Sequence, residues 1–243
     1  MSLHLDKTKS MLLTTHQKRP HLAKQSLNIS LSGENVECVK STKLLGVIIN
    51  DNLSWKEHCN NICTKIQKSL FLLRKLKSIL PKSAKLQFFN SFILPHLDFC
   101  SNIWYTGQTD VVNPLNVLQK RAMRLILNLP FDTSSSHLYK SLNWMSIDFR
   151  CKYNISILVF KSLHSHTPEY LNFFHLNSNR TRSAARNELI VPFARKDNLK
   201  NSFRVQGAKI FNMLPLTIRE SPSLPSFKRA CFSHFITTFL NSL

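Results

Sequence analysis

The sequence predicts a mainly α-helical protein with a small α+β piece at its N-terminus, and three observations carry that reading. Apolar residues recur at intervals of three and four through most of the chain beyond Ser54. Four glycines against ten prolines, with 17 phenylalanines, suit helices punctuated by proline better than a glycine-rich β-sandwich. Strand candidates gather in the first fifty residues, apart from a short run at 189–193. At 243 residues, 28.1 kDa and 43% hydrophobic content, the chain is long enough to bury a real core.

The first segment, 1–52, holds the strand candidates. Residues 3–14 run apolar through Met11 to Leu13, as a turn feeding a strand does, and residues 16–24 form a basic loop. Two short strands follow, 27–31 and 36–39, separated by Ser32-Gly33-Glu34-Asn35, a turn composition that predicts a hairpin. Residues 42–55 read TKLLGVIINDNLSW. The run from Leu44 to Ile49 predicts a third strand, apolar on both faces and therefore in need of cover above and below.

From Ser54 the period changes. Trp55, Cys59, Ile62, Ile66, Leu70, Leu73, Leu76 and Leu80 fall on one stripe of a long helix, with Asp51 or Ser54 at its start and Pro81 at its end. Leu86, Phe89 and Ile93 predict a second helix from Ser83 to about Ile93, before Pro95. A third runs from Pro114 through Leu115, Leu118, Ala122, Leu125 and Leu129 to Pro130. Together these make a helical bundle over 53–130. In the remainder, 131–243, helices are predicted at 134–142, 148–164, 205–213 and 226–240, around a polar, basic connector at about 175–204.

Charge sets the class of partner. The chain carries 33 Lys and Arg against 13 Asp and Glu, a net +20, and the excess is spread over all three segments. A field of that sign attracts polyanions, with RNA or DNA ahead of anionic lipid. Seven basic residues and no acid lie between Lys65 and Lys85. Lys65, Lys68 and Lys75 share one flank of the first helix, and Lys120, Arg121 and Arg124 lie on the polar side of the third. These six are the candidate phosphate contacts.

Most catalytic classes find no support. The seven aspartates stand singly, without the paired carboxylates that metal-assisted phosphoryl transfer needs. His58, Cys59 and Cys63 lack a second pair at finger spacing, so no metal ligands are assigned and the thiols read as core. No nucleophile elbow, Walker A loop or dinucleotide fingerprint occurs. Phe88-Phe89, Phe173-Phe174 and the tryptophans Trp55, Trp104 and Trp144 also read as core packing. Six scattered cysteines without a secretory signal point to a reducing, intracellular compartment, cytoplasmic or nuclear, and no apolar run predicts a membrane span.

The order of segments resembles the C-terminal part of the reverse transcriptase of non-LTR retrotransposons, the jockey-like long interspersed elements. LHLDKTKSML (3–12) is similar to that family's motif D, and TKLLGVIINDNLSW (42–55) to its primer-grip segment. FFNSFILPHLDFCSNIW (88–104) and LQKRAMRLIL (118–127) are similar to the helical region after the palm. LVFKSLHSHTPEYL (158–171) and residues 203–235 are similar to the usual ending of such reading frames. The resemblance implies remnant palm strands in 1–52, a thumb-like bundle in 53–130 and a helical C-terminal extension in 131–243. It implies that Lys7 matches the motif D lysine, a possible general acid, and that Leu45-Gly46-Val47 matches the primer grip, with Leu44 where the family has tyrosine. The family's catalytic aspartates, and the Mg²⁺ they hold, belong to motifs with no counterpart in this sequence. The resemblance thus implies a polymerase fragment that binds the template–primer backbone, with a separate polymerase core as a further partner, without catalysing alone or binding a cofactor. The alternative is a stand-alone basic helical protein that binds nucleic acid or a partner.

Overall fold

The computed structural model describes residues 8–14, 29–31, 33–177 and 187–243. Lys7, the basic loop at 16–24, the start of the 27–31 strand, and Arg180, Arg182 and Arg186 lie outside the described residues. The chain divides into two compact units, Met1–Asn60 and Asn61–Leu243. It is mainly helical, and among the described residues the strands, all short, lie in the first unit.

Among the described residues of the first unit three two-stranded sheets form. Strand β1 (Lys9–Ser10) pairs in parallel with β4 (Glu37–Cys38), and β2 (Ser30–Leu31) pairs antiparallel with β3 (Glu34–Asn35). The predicted hairpin therefore closes two residues earlier than expected, about Gly33 with its φ of +87°, and the second predicted strand joins β1 instead. Residues 44–49 likewise do not form one strand. The chain reverses at Leu45 and Gly46, with φ of +46° and +90°, between β5 (Ser41–Leu44) and β6 (Val47–Asn50). Thr42 pairs with Ile49 and Leu44 with Val47. Positive φ at both central residues is what a two-residue hairpin turn demands, and Gly46 supplies one of them without strain. A hairpin needs one covered face, which accounts for a run in which Val47 is buried, Ile48 and Ile49 are half-buried, and Leu44 and Leu45 are exposed. His58 is buried in the same unit, and its Nδ1 accepts the Ile48 N–H at 3.2 Å.

Helix α1 (Lys56–Lys75) begins in the first unit and continues in the second. Its predicted stripe is buried at Cys59, Ile62, Ile66, Leu70 and Leu73. Helix α2 (Lys82–Phe88) does not stop before Pro95: a π-helical turn, Phe89–Ile93, carries the chain into α3 (Leu94–Asp98) with Pro95 at its start. The widened turn, in which the Leu94 N–H bonds to the Phe89 carbonyl, passes the proline without a broken ladder. After α4 (Ser101–Trp104), α5 (Thr109–Leu127) starts five residues before Pro114, because Val111 and Val112 also have an apolar face to bury. It ends at Asn128, whose φ of +57° turns the chain out of the helix.

Helices α6 (Ser135–Leu142) and α7 (Ile147–Leu163) follow close to expectation. The Ser134 hydroxyl accepts the His137 N–H to cap α6, and Asn116 of α5 accepts the Ile147 N–H at 3.0 Å to cap α7. The described residues of the connector include a bridge, Leu176 to Leu189, and the short helix α8 (Asp197–Lys200). The chain closes with α9 (Phe203–Asn212), α10 (Leu216–Arg219) and α11 (Leu224–Asn241). Among the described residues no helix is long and apolar enough to cross a membrane.

The second unit is organised around α7, which packs against α5, α9 and α11. Phe160 stacks on Phe227 of α11 at 4.2 Å, and both rings are buried. Gly207 of α9 meets α7 so closely that a Cβ there would lie 3.0 Å from Val159 and 2.9 Å from the Phe174 ring. Polar links fix the remaining contacts. Arg150 grips Asp98 through two bonds of 2.6 Å, Asn154 bridges Asp98 and Ser101, and Tyr105 donates to Asp148. Tyr139 donates to Gln119, which donates in turn to the Met145 carbonyl.

Two measurements check this packing. Leu73 is wholly buried, so Leu73→Ala should cost about 2–5 kcal/mol in urea denaturation, whereas an unchanged midpoint would mean that the stripe is not core. His96 and His234 are held below the ordinary histidine value by desolvation, His96 also by nearby Lys65. The unfolded chain therefore takes up these protons first, and their stabilising contribution, complete above about pH 6.5, is lost as pH falls through the lowered folded values. Unfolding midpoints should drop between about pH 7.5 and about pH 5.5, and drop less in a His96→Asn/His234→Asn variant. An equal fall in both proteins contradicts the assignment.

Candidate nucleic-acid interface

The site of greatest chemical interest lies in the second unit, between α1, α5 and the turn after α5. At about 100° per residue, positions 67, 70, 71 and 74 of α1 occupy one face, spaced i, i+3, i+4, i+7. On α5 the same relation joins Leu118, Arg121 and Leu125. These two faces line a groove of about 550 Å³, completed by Leu129 and Phe131. Its floor is aliphatic, from Leu70, Leu118, Leu125 and Leu129, and its cations are Arg74, Arg121 and Arg124.

The end of α5 builds one wall. Asn128 adopts the left-handed conformation that asparagine tolerates better than most residues, and Leu129 returns its N–H to the Arg124 carbonyl. The chain then folds into a tight turn in which the Pro130 carbonyl accepts the Thr133 hydroxyl at 2.9 Å. Arg124 ties the turn down: its Nη2 donates to the Thr133 carbonyl at 3.1 Å, and its guanidinium lies 5.2 Å from the centre of the Phe131 ring. Phe131 is nonetheless 80% exposed. Across the groove Phe71 is 61% exposed, with the Lys75 ammonium 4.7 Å above its ring.

Behind the turn sits Lys85, only 1% exposed, whose ammonium donates to the Asn128 side-chain oxygen at 2.8 Å. It meets the C-terminal end of α5, where unpaired carbonyls favour a cation. Arg74 also faces a second, smaller depression with Lys77, Ser78 and Asn128, so the positive surface continues beyond the groove. Ion pairs among the described residues include Lys9–Glu37, Arg150–Asp98, Lys152–Asp148 and Lys200–Asp197, and none of these four involves a groove arginine.

The residues singled out from sequence distribute unevenly about this groove. Arg121 and Arg124 line it, and Lys75 stands at its rim over Phe71. Lys65 and Lys68 are exposed on the neighbouring flank of α1, Lys65 close to His96. Lys120 is half-buried, about 100° around α5 from Arg121. Leu45, Gly46 and Val47 belong to the first unit, where Leu45 is 88% exposed at the hairpin tip and Val47 is buried. Arg74, Phe71 and Phe131 line the groove in addition to the candidates the sequence offers. The i, i+4 pair Gln67 and Phe71, beside Leu70 and Arg74, was the signal available for the first two; Phe131 carried none, because its role depends on the turn after Asn128.

Other chemistry is weak. The thiols of Cys63 and Cys100 are pushed up by burial and that of Cys231 to about 12, so none is a nucleophile near neutrality. The hydroxyls of Tyr105 and Tyr139 are likewise raised, mainly by desolvation. Among the described residues no group of three or more His, Cys, Asp or Glu is placed to hold a metal ion. No family model, curated protein or solved structure matches the chain.

The wall of the groove can be probed through its buried cation. Asn128→Ala should cost about 2–4 kcal/mol, since it strands the Lys85 ammonium and places alanine at positive φ. In a Lys85→Met background the same change should cost only about 1–2 kcal/mol, the backbone part alone. Equal costs in both backgrounds, read from chemical denaturation, would show that the contact does not hold the turn.

Proposed function

We propose that the chain is the template–primer-holding part of a reverse transcriptase of the non-LTR retrotransposon class, supplying nucleic-acid contacts and not phosphoryl-transfer chemistry. The observation that carries this reading is the groove between α1 and α5, where three arginines, none with a carboxylate partner among the described residues, surround an apolar floor flanked by two exposed rings. Guanidinium groups match phosphate oxygens in a bidentate fork, and neutralising phosphates releases counterions. Lys65, Lys68, Lys75 and Lys120 extend the positive field on adjacent faces, in a chain of net +20. In this reading residues 53–130 act as the thumb-like bundle. Leu45-Gly46-Val47 acts as a primer-grip-like hairpin, in which Gly46 lets the backbone approach a phosphate. The metal-holding carboxylates would come from elsewhere in the polymerase.

Binding of a labelled RNA–DNA hybrid, followed by fluorescence anisotropy between about 50 and 300 mM KCl, tests the proposal. Affinity should fall steeply with salt. Arg74→Gln/Arg121→Gln should reduce the log–log slope by about two, and Lys65→Gln/Lys68→Gln/Lys75→Gln by about two to three. Absence of binding at the lowest salt, or a slope indifferent to the arginine pair, would refute it.

A further inference from the structure

Resting on that reading of the groove, we infer that it takes a single strand of RNA or DNA, with bases laid against Phe71 and Phe131 and phosphates on Arg74, Arg121 and Lys77. The groove offers more than a duplex can use. A duplex shows phosphates and sugar outward and keeps its bases stacked inside. It would meet the arginines but leave the aliphatic floor and both aromatic rings uncovered. A single strand exposes a π-face at every base and a phosphate at every step, and so satisfies ring, floor and cation together.

The rings are suited to this. Phe71 and Phe131 are 61% and 80% exposed on opposite rims, and each already has a cation over its ring, Lys75 at 4.7 Å and Arg124 at 5.2 Å. Arg124 and the 130–133 turn hold Phe131 in position, so little ordering is left for the moment of binding. A volume near 550 Å³ is that of a small-molecule cleft and accommodates bases, not a double helix. The cationic track also runs on past the groove, from Arg74 to Lys77, as a continuous chain of phosphates requires. An acidic amphipathic peptide helix is the competing occupant. It would match the charge, but it has no use for a track that leaves the apolar floor.

The full-length chain should be tested with a short labelled oligonucleotide, free and annealed to its complement. The expected result is single-strand binding at least fivefold tighter than duplex binding at about 100 mM salt. Phe71→Ala and Phe131→Ala should each lose about tenfold for the single strand and leave the duplex unchanged. Phe131→Trp should retain affinity and show fluorescence quenching on binding. Because both rings are exposed, these variants should keep the parent circular dichroism and melting profile. Duplex binding equal to or tighter than single-strand binding, or indifference of the single strand to both alanine variants, overturns the inference while leaving the proposed function intact. Failure of both ligands to bind overturns both. Displacement of the strand by an acidic amphipathic peptide of higher affinity overturns the inference and assigns the groove to a protein.

Discussion

The burial of one face of α5 is the constraint on which the second unit depends. Leu115, Ala122 and Met123 are completely covered, and Val111, Val112, Leu118 and Ile126 nearly so. A stripe that wide leaves the helix no rotational freedom, since turning it by a single position would place Arg121 where Ala122 now sits, at a cost of several kcal/mol for a buried unpaired charge. With that face committed, Arg121 and Leu125 must look along the edge of the core. There they meet the flank of α1 carrying Gln67, Leu70, Phe71 and Arg74. The groove is thus a consequence of how two amphipathic helices are anchored, and Arg74 and Arg121 face it because their helices are held by other residues, while Arg124 ties down the turn that carries Phe131.

The polar links follow the same logic. Gln119 lies inside the buried face of α5, where an amide is costly unless both its ends are used, and Tyr139 and the Met145 carbonyl use them. Lys85 is a harder case, a buried ammonium satisfied by an asparagine oxygen at a helix C-terminus instead of a carboxylate. The same Asn128 that accepts from it also turns the chain toward Phe131. Stability and the presentation of the exposed ring therefore meet at one residue.

Helical periodicity made most of the second unit legible. The stripe of α1, the body of α5 and the extents of α6, α7, α9 and α11 are all visible as apolar residues spaced three and four apart. Where that reading failed, proline or a hairpin was involved. Pro95 and Pro114 look like boundaries, yet a π-turn carries the chain past the first and the second sits inside α5, because tertiary burial outweighs a single missing N–H. The run Leu44–Ile49 looks like one buried strand because its apolar character hides the turn, and only Gly46 marks it. The site was half legible: basic residues on helix flanks are plain in the sequence, but which of them converge depends on the pairing of α1 with α5, and sequence spacing says nothing of that. Phe131 illustrates the limit, since its exposure follows from a left-handed asparagine and an arginine bond to a turn carbonyl.

Photocrosslinking of a bound, photoreactive single-stranded oligonucleotide, with the attached peptides identified by mass spectrometry, tests the central claim most directly. Adducts should concentrate on the peptides containing Phe71 and Phe131 and disappear when Arg74 and Arg121 are neutralised. Adducts confined to other surfaces, such as the basic connector between α7 and α9, would contradict the account.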